Sequence, residues 1–290
     1  MQRSRRSARK SPGSGPGRSR PQRASPGGLE AFVARRQAAY QYTFTEADLA
    51  AELALSASGC QAALRRLVRA RRLLRPWPRR GFFVIVPAEY HAIGTPPTAW
   101  VVTAVLDFLG EPAGYVGLLT AAEWHGVSPF AAQETQLVAA RNYPPVRLGR
   151  DRLVFVAKHA VATTPRTTIP TPVGPVPVST PEATAIDLVR YAGRAGGWST
   201  VAAVVRGLGP SLRAAPLREA LDAAGDVTAA QRTGLLLEDG GYLASAAVVA
   251  RWLARRKVSP RALDPRRPST RDDYEPRWSL HRNRAPGIAR

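Results

Sequence analysis

Cysteine and long apolar runs are scarce in this 290-residue chain. The single cysteine, Cys60, excludes an internal disulfide and any metal site built from several cysteines, and it fits a reducing compartment. No run approaches the ~20 consecutive apolar residues that a bilayer-spanning helix needs. The basic N-terminus also lacks the apolar segment of a signal peptide. We therefore expect a soluble cytoplasmic protein without a membrane partner.

Acidic residues are few as well: 21 Asp and Glu stand against 42 Lys and Arg, so the net charge is +21. Arginine supplies nearly all of the positive charge, since only Lys10, Lys158 and Lys257 are lysines. The excess lies at the two ends of the chain. This balance predicts an anionic partner, most commonly double-stranded DNA, and a location at the nucleoid. A compositional habit of the source genome is the alternative explanation.

Motifs that carry catalysis are absent from the sequence. There is no phosphate-binding G-x-x-x-x-G-K-[ST] loop and no G-x-S-x-G nucleophile turn. None of the three lysines has an acid two residues before it, as the E-x-K of metal-dependent nucleases requires. The histidines lie far apart, at His91, His125, His159 and His281. The sequence therefore predicts no catalytic residue, no metal site and no cofactor.

Composition and hydrophobic periodicity predict an α+β fold in five segments. A winged helix-turn-helix precedes a mixed α/β domain whose C-terminal part is helical. The segments are a disordered basic tail at 1–28, the winged helix-turn-helix at 29–87, a linker at 88–97, the α/β domain at 98–257 and a Pro- and Arg-rich segment at 258–290.

The winged helix-turn-helix is predicted from the order helix, helix, turn, helix, hairpin. Apolar residues from Leu29 to Tyr40 recur at helical spacing. A second helix starts at Thr45, where Asp48 three residues on completes a weak capping box. A third helix runs from Ser58 to about Arg72. Its buried stripe contains Cys60, Leu64, Leu67 and Val68, and it is followed by a turn at 76–81 and a β-like run at 82–86.

The third helix carries a polar face opposite its buried stripe, because Gln61, Arg65, Arg69 and Arg72 recur at i, i+4, i+8 and i+11. Such a helix suits the major groove, where arginine pairs with guanine and glutamine with adenine. Residues at the helix start would meet base edges, later arginines would meet phosphate, and the wing tip would reach the flanking backbone. The predicted DNA-binding residues are Ser58, Gln61, Arg65, Arg69, Arg72, Arg79 and Arg80.

The polar face of the third helix also has a structural explanation that does not involve DNA. A glutamine and arginine face is also typical of a solvated helix surface. Ser58 and Gln61 have the spacing of a capping box in their own right, and a capping Gln61 would not be free to contact a base.

Beyond the linker, the pattern alternates between helices and short strands. Helices are predicted at Thr98–Leu109 and Tyr115–His125, and four β segments at Thr135–Ala139, Leu153–Ala157, Arg166–Ile169 and Val173–Val178. Thr180-Pro181-Glu182 then signals a helix start, with a hydroxyl cap, proline at the first helical position and an acid in the first turn. Further helices are predicted at 198–207, 211–224, 227–238 and 243–256, and a β-like piece around Trp278–His281.

Glu182, Asp187 and Arg190 share the helix that begins at Pro181, and they are the residues to suspect if this part of the chain holds a polar site. A structural interpretation accounts for each of them. Glu182 would interact favourably with the helix dipole, and Asp187 would pair with Arg190 at i, i+3 on the surface.

Several separated blocks resemble the AbiEi antitoxins of bacterial type IV toxin–antitoxin systems. The blocks run from Pro87 to Trp100, from Tyr115 to Gly126 and from Val178 to Tyr191, and the likeness covers about 29–256. The family often has a glycine after the third helix, where this chain has Arg71-Arg72.

The resemblance implies a winged helix-turn-helix joined to an α/β antitoxin domain. It also implies binding to inverted repeats in the protein's own promoter, and neutralisation of a nucleotidyltransferase-like toxin encoded next door. The resulting hypothesis is a transcriptional autorepressor that is also an antitoxin and not an enzyme. Two alternatives stay open: an enzymatic C-terminal domain acting on nucleotides or on a modified toxin, and a binding module that contacts the toxin through its middle domain.

Overall fold

A computed structural model describes residues 26–53, 57–127 and 134–283, without the side chains of 26, 27 and 57–60. Most of the predicted basic tail and residues 284–290 thus lie outside the description. Within it, no helix has the length and apolar character needed to cross a bilayer. The α+β class predicted from the sequence is confirmed, with a helical N-terminal part, a central sheet and a helical C-terminal part.

The N-terminal part folds as three helices and a three-stranded antiparallel sheet in the order β1-β3-β2. The short strand β1 was not predicted, and it pairs with β3 at a place where only a helix start was predicted. The elements are α1 (Pro26–Ala38), β1 (Thr43–Thr45), α2 (Glu46–Leu53), α3 (Ala57–Arg69), β2 (Leu73–Trp77) and β3 (Phe82–Ile85).

The start of α2 is fixed by the reciprocal capping that the sequence predicted. The Thr45 amide donates to the Asp48 carboxylate at 2.7 Å, and the Asp48 amide donates to the Thr45 hydroxyl at 3.1 Å. Two backbone donors at the helix end are thereby satisfied. Leu49 on this helix is buried together with Leu64 and Leu67 of α3, which confirms two members of the predicted stripe. Cys60 lies outside the described side chains.

Helix α3 ends three residues earlier than predicted. Arg71 adopts a left-handed conformation with φ +55°. Its amide bonds to the Val68 carbonyl and the Arg72 amide to the Leu67 carbonyl, both at 3.0 Å. This pair of bonds is the Schellman motif that closes many helices, and its left-handed position usually holds glycine. Arg71 therefore stands where a glycine would carry no conformational strain.

The central sheet has six strands in the order β6-β7-β5-β4-β9-β8. Strand β7 pairs parallel with β5, and β9 parallel with β4, while the other neighbours are antiparallel. The strands are β4 (Tyr115–Val116), β5 (Thr135–Ala139), β6 (Val146–Leu148), β7 (Asp151–Ala157), β8 (Arg166–Thr171) and β9 (Gly174–Ser179).

The prediction of one helix over Tyr115–His125 was wrong at its start. Tyr115 and Val116 form β4, and the helix begins only at Leu118. The intervening Gly117 packs so closely on β5 that a Cβ there would lie 2.5 Å from a Val138 methyl group. The tight passage from strand to helix thus requires glycine.

Helices cover the sheet and complete the fold. Thr180 caps the predicted helix start at Pro181, since the Ala183 amide donates to its hydroxyl at 3.2 Å. The helices are α4 (Val102–Leu109), α5 (Leu118–Trp124), α6 (Pro181–Arg190), α7 (Trp198–Leu208), α8 (Ala214–Ala224), α9 (Val227–Asp239) and α10 (Leu243–Leu253).

The segment after α10 packs onto the helical layer. It forms a small sheet of β10 (Arg261–Ala262), β11 (Tyr274–Glu275) and β12 (Leu280–His281). Trp278 is fully buried, and it lies so close to Gly234 of α9 that a Cβ at that glycine would overlap its ring.

Strand β3 joins the two parts of the structure, because it is buried on both faces. Phe83 and Ile85 point into the core formed by α1, α2 and α3. Phe82 and Val84 point the other way, into the core between the six-stranded sheet and α4. Phe82 packs on Phe108 with ring centroids 4.6 Å apart.

Candidate nucleic-acid interface

The exposed face of α3 carries three of the residues predicted to bind DNA. Gln61, Arg65 and Arg69 are exposed, whereas Leu64 and Leu67 on the opposite side are buried. Among the described residues, none forms an ion pair with Arg65 or Arg69. Their guanidinium groups therefore need not break an internal salt bridge before they contact phosphate or a base edge.

A groove of about 300 Å³ runs along this face, between α3 and the hairpin of β2 and β3, which forms the predicted wing. Arg75 of β2 enters it, with its guanidinium 3.2 Å from the Glu46 carboxylate and 5.5 Å from the centre of the Phe83 ring. Neither Glu46 nor Arg75 was predicted. Arg75 is the one charged residue of β2, which is the sequence signal that could have identified it.

Arg72 does not continue the polar face of α3, contrary to the helical spacing in the sequence. The helix has already ended, and the left-handed Arg71 redirects the backbone. The exposed Arg72 side chain lines a different groove, of about 470 Å³, together with Tyr40 and His91. Phosphate contact from Arg72 stays a prediction, but it would come from the loop after α3.

The wing tip places its two arginines in different surroundings. Arg79 is exposed, and no described acidic residue pairs with it. Arg80 extends over the Phe108 ring of α4, with 5.2 Å between the guanidinium carbon and the ring centroid. Gly81 has φ +64°, which confirms the tight turn predicted there. Its carbonyl accepts from the Glu46 amide at 2.9 Å, which ties the wing to the start of α2.

The Ser58 side chain lies outside the described part of the chain. Its predicted contact with a base edge, and the alternative in which Gln61 caps the helix through Ser58, both stay predictions. Of the predicted residues, Gln61, Arg65, Arg69, Arg72, Arg79 and Arg80 are described and exposed, and their contacts with DNA stay predictions.

Glu182, Asp187 and Arg190 do not form one site on α6, and the predicted surface pair of Asp187 with Arg190 was wrong. Glu182 is buried, and its carboxylate accepts from the Arg213 amide at 2.9 Å. Arg190 instead approaches Asp226 at 3.6 Å. Each of the three residues faces a different structural partner.

Asp187 belongs to a buried polar cluster that the sequence did not predict. Lys158 Nζ lies 2.7 Å and 2.8 Å from the two Asp187 oxygens, and the Tyr115 hydroxyl donates to the same carboxylate at 3.0 Å. Burial lowers the pKa of the Lys158 ammonium, an effect that Asp187 opposes. Burial and the neighbouring carboxylate raise the pKa of the Tyr115 phenol, so it remains a donor.

This cluster has no access for a substrate. The space beside Lys158 and Asp187 has no room for a water-sized molecule. In the ranges that the structure describes, no three His, Cys, Asp or Glu side chains are grouped so as to hold a metal ion. The one available signal for the cluster was Lys158 itself, a rare lysine directly after an apolar strand.

The sheet and helices around this cluster match a known protein family. Residues 115–239 match the family model of the AbiEi antitoxin C-terminal domain. This segment is an AbiEi antitoxin domain. The resemblance inferred from the sequence is thereby confirmed over these residues, and the AbiEi domain supports an antitoxin role within a toxin–antitoxin pair.

The fold extends beyond the AbiEi domain. The chain is similar to the crystal structure of the RV2827C protein from Mycobacterium tuberculosis, with a TM-score of 0.60 and 18% sequence identity. The match covers 89% of this chain and 92% of that one. No curated protein matches the chain.

Proposed function

We propose that the protein is a DNA-binding transcriptional autorepressor and the antitoxin of a type IV toxin–antitoxin pair, without an enzymatic step of its own. The observation that carries the DNA half is the exposed face of α3 with Gln61, Arg65 and Arg69, where no described acidic residue pairs with either arginine. The order of helices and wing around it is that of winged helix-turn-helix proteins, which insert this helix into the major groove.

The target is the protein's own promoter, read at inverted repeats. Arg65 lies in the middle of the exposed face and would contact base edges, where each good bidentate pair discriminates by about 1–3 kcal/mol. Arg79 and Arg80 on the wing would contact phosphate, which adds affinity without sequence preference.

The test is fluorescence anisotropy of the full chain with its own upstream duplex and with a scrambled duplex, across a salt series. Each neutralised phosphate should add roughly 0.9 to the negative slope of log K against log salt. Arg65→Ala should reduce the preference for the upstream duplex, whereas Arg80→Ala should weaken both duplexes alike.

Arg66→Ala is the matched control. Arg66 lies on the same helix and carries the same charge, but its guanidinium is paired with Glu30 at 3.0 Å. We expect its binding to stay close to that of the wild type. A flat salt slope with no preference for the upstream duplex would refute the DNA half of the proposal.

The antitoxin half rests on the AbiEi domain. Its partner is proposed to be a nucleotidyltransferase-like toxin encoded beside it. Co-expression of the full chain with that toxin should restore growth, and Arg65→Ala should restore growth equally under an independent promoter. Continued growth arrest with the wild-type chain would refute this half.

A further inference from the structure

A second basic surface lies away from α3, on α8 of the AbiEi domain and on α10, which follows that domain. Helices α8 and α10 pack side by side and enclose a groove of about 700 Å³. Its lining combines small or apolar side chains with charged ones. The lining residues are Ala214, Ala215, Val248 and Trp252, with Asp222 and the arginines Arg218, Arg251, Arg255 and Arg256.

One arginine of this groove is held in place. The Arg256 guanidinium stacks on the Trp252 ring, 3.4 Å from its centre, and donates to the Asp222 carboxylate at 3.1 Å. The Trp252 indole donates to the same carboxylate at 2.7 Å. These contacts fix the orientation of the Arg256 guanidinium in the free protein, which reduces the side-chain entropy lost on binding.

The other three arginines are less constrained. Arg218 lies 3.9 Å from Asp222 and is two-thirds exposed. Arg251 and Arg255 have no acidic partner within the described ranges, which include every Asp and Glu of the chain. Four arginines face one carboxylate, so three positive charges remain uncompensated.

We propose that this groove is a docking site for an acidic protein segment. Arginine forks bind carboxylates through two parallel hydrogen bonds. The apolar floor of Ala214, Ala215 and Val248 would be covered by an apolar side chain between the acids, whereas a phosphate backbone offers nothing to bury there. Arginine is also among the residues enriched at protein interfaces.

The position of the groove favours a protein over the duplex. The wing and α4 pack on one face of the six-stranded sheet, and the helices of the groove belong to the core on the other face. A duplex bound to α3 would therefore lie on the opposite side of the sheet.

The test uses a fluorescein-labelled peptide of glutamate and leucine, and the same peptide with glutamine for glutamate, titrated with the full chain. The acidic peptide should bind and the neutral one should not. Arg251→Gln with Arg255→Gln should weaken acidic-peptide binding about tenfold. Both residues are exposed, so the double variant should melt like the wild type.

Arg65→Gln with Arg69→Gln is the control, since it removes the same charge from α3. It should leave peptide binding unchanged while weakening upstream DNA, and the groove variant should do the reverse. The proposal is overturned if the wild type binds no acidic peptide, if both double variants weaken it equally, or if the groove variant weakens only DNA. If the wild type shows no preference for its upstream duplex, the autorepressor proposal is refuted, but the peptide result still supports the docking site.

Discussion

Lys158 and Asp187 form an ion pair inside the AbiEi domain, with side chains only 3% and 1% exposed. Lys158 follows β7 and Asp187 lies in the middle of α6, so the pair fastens this helix to the sheet. The Tyr115 hydroxyl supplies a further hydrogen bond to the carboxylate. Both Asp187 oxygens are thus occupied within the protein, which gives this residue a structural role.

Removing the Asp187 charge alone should lower the free energy of unfolding far more than replacing both members of the ion pair. Asp187→Asn leaves a buried ammonium without its counter-charge and should lower the free energy of unfolding by roughly 3–5 kcal/mol. Replacing both residues, with Lys158→Met and Asp187→Leu, should cost less. Urea titration measures both. Arg190→Gln, which breaks a partly exposed pair, should change the value by under about 1 kcal/mol. A wild-type urea midpoint for Asp187→Asn would contradict this prediction.

Glu111 should make the stability depend on pH in the acid range. Its buried carboxylate accepts from the Tyr143 hydroxyl at 2.7 Å, the Ala140 amide at 2.9 Å and the Arg141 guanidinium at 3.2 Å. Burial alone would raise the pKa of Glu111, but these hydrogen bonds outweigh it, so the pKa is lowered.

A lowered folded-state pKa stabilises the protein above the unfolded value, about 4.3, and this stabilisation is lost as the pH falls through the folded value. Glu111→Gln should therefore lower the urea midpoint at neutral pH, and the gap to the wild type should narrow at about pH 3. A difference in urea midpoint that increases at low pH would contradict the predicted direction of the Glu111 pKa shift.

Arg71→Gly should stabilise the protein. Glycine adopts the left-handed conformation at the end of α3 without the strain that an L side chain incurs there. Its greater freedom in the unfolded chain offsets part of this gain, so the net effect should be on the order of 0.5–1 kcal/mol. Ala62→Gly, at an exposed position inside the same helix, should destabilise by about 1 kcal/mol. Thermal melting distinguishes the two, and a lower melting temperature for Arg71→Gly would contradict the prediction.

Gly234→Ala should destabilise the helical layer despite the higher helix propensity of alanine. The added methyl group would overlap the Trp278 ring, and such overpacking costs typically 1–3 kcal/mol. Trp278→Leu makes room for it, so Gly234→Ala should be nearly harmless in that background. A double-mutant cycle in urea measures this coupling, and simple additivity would refute it.

Local signals allowed accurate prediction wherever partners are close in sequence. The caps at Thr45 and Thr180 and the buried side of α3 follow from spacing alone, and the structure confirms them. Helical spacing also predicted the exposure of Gln61, Arg65 and Arg69. It failed at Arg72, because the backbone of Arg71 ends the helix before the pattern does.

The features that could not be predicted depend on contacts between residues that are distant in the sequence. Lys158 and Asp187 lie 29 positions apart, and only the packing of α6 on the sheet brings them together. Their pairing competes with the local i, i+3 spacing that predicted Arg190 as the partner. The groove between α8 and α10 is hidden for the same reason, since α9 separates its two walls along the chain.

The two-sided burial of β3 has a consequence for how this protein can be dissected. A fragment ending at residue 86 would expose Phe82 and Val84 to water, and a fragment beginning after it would leave the Phe108 side of α4 bare. Exposed apolar patches of this kind promote aggregation. Either part should therefore be less stable and less soluble alone than it is within the full chain.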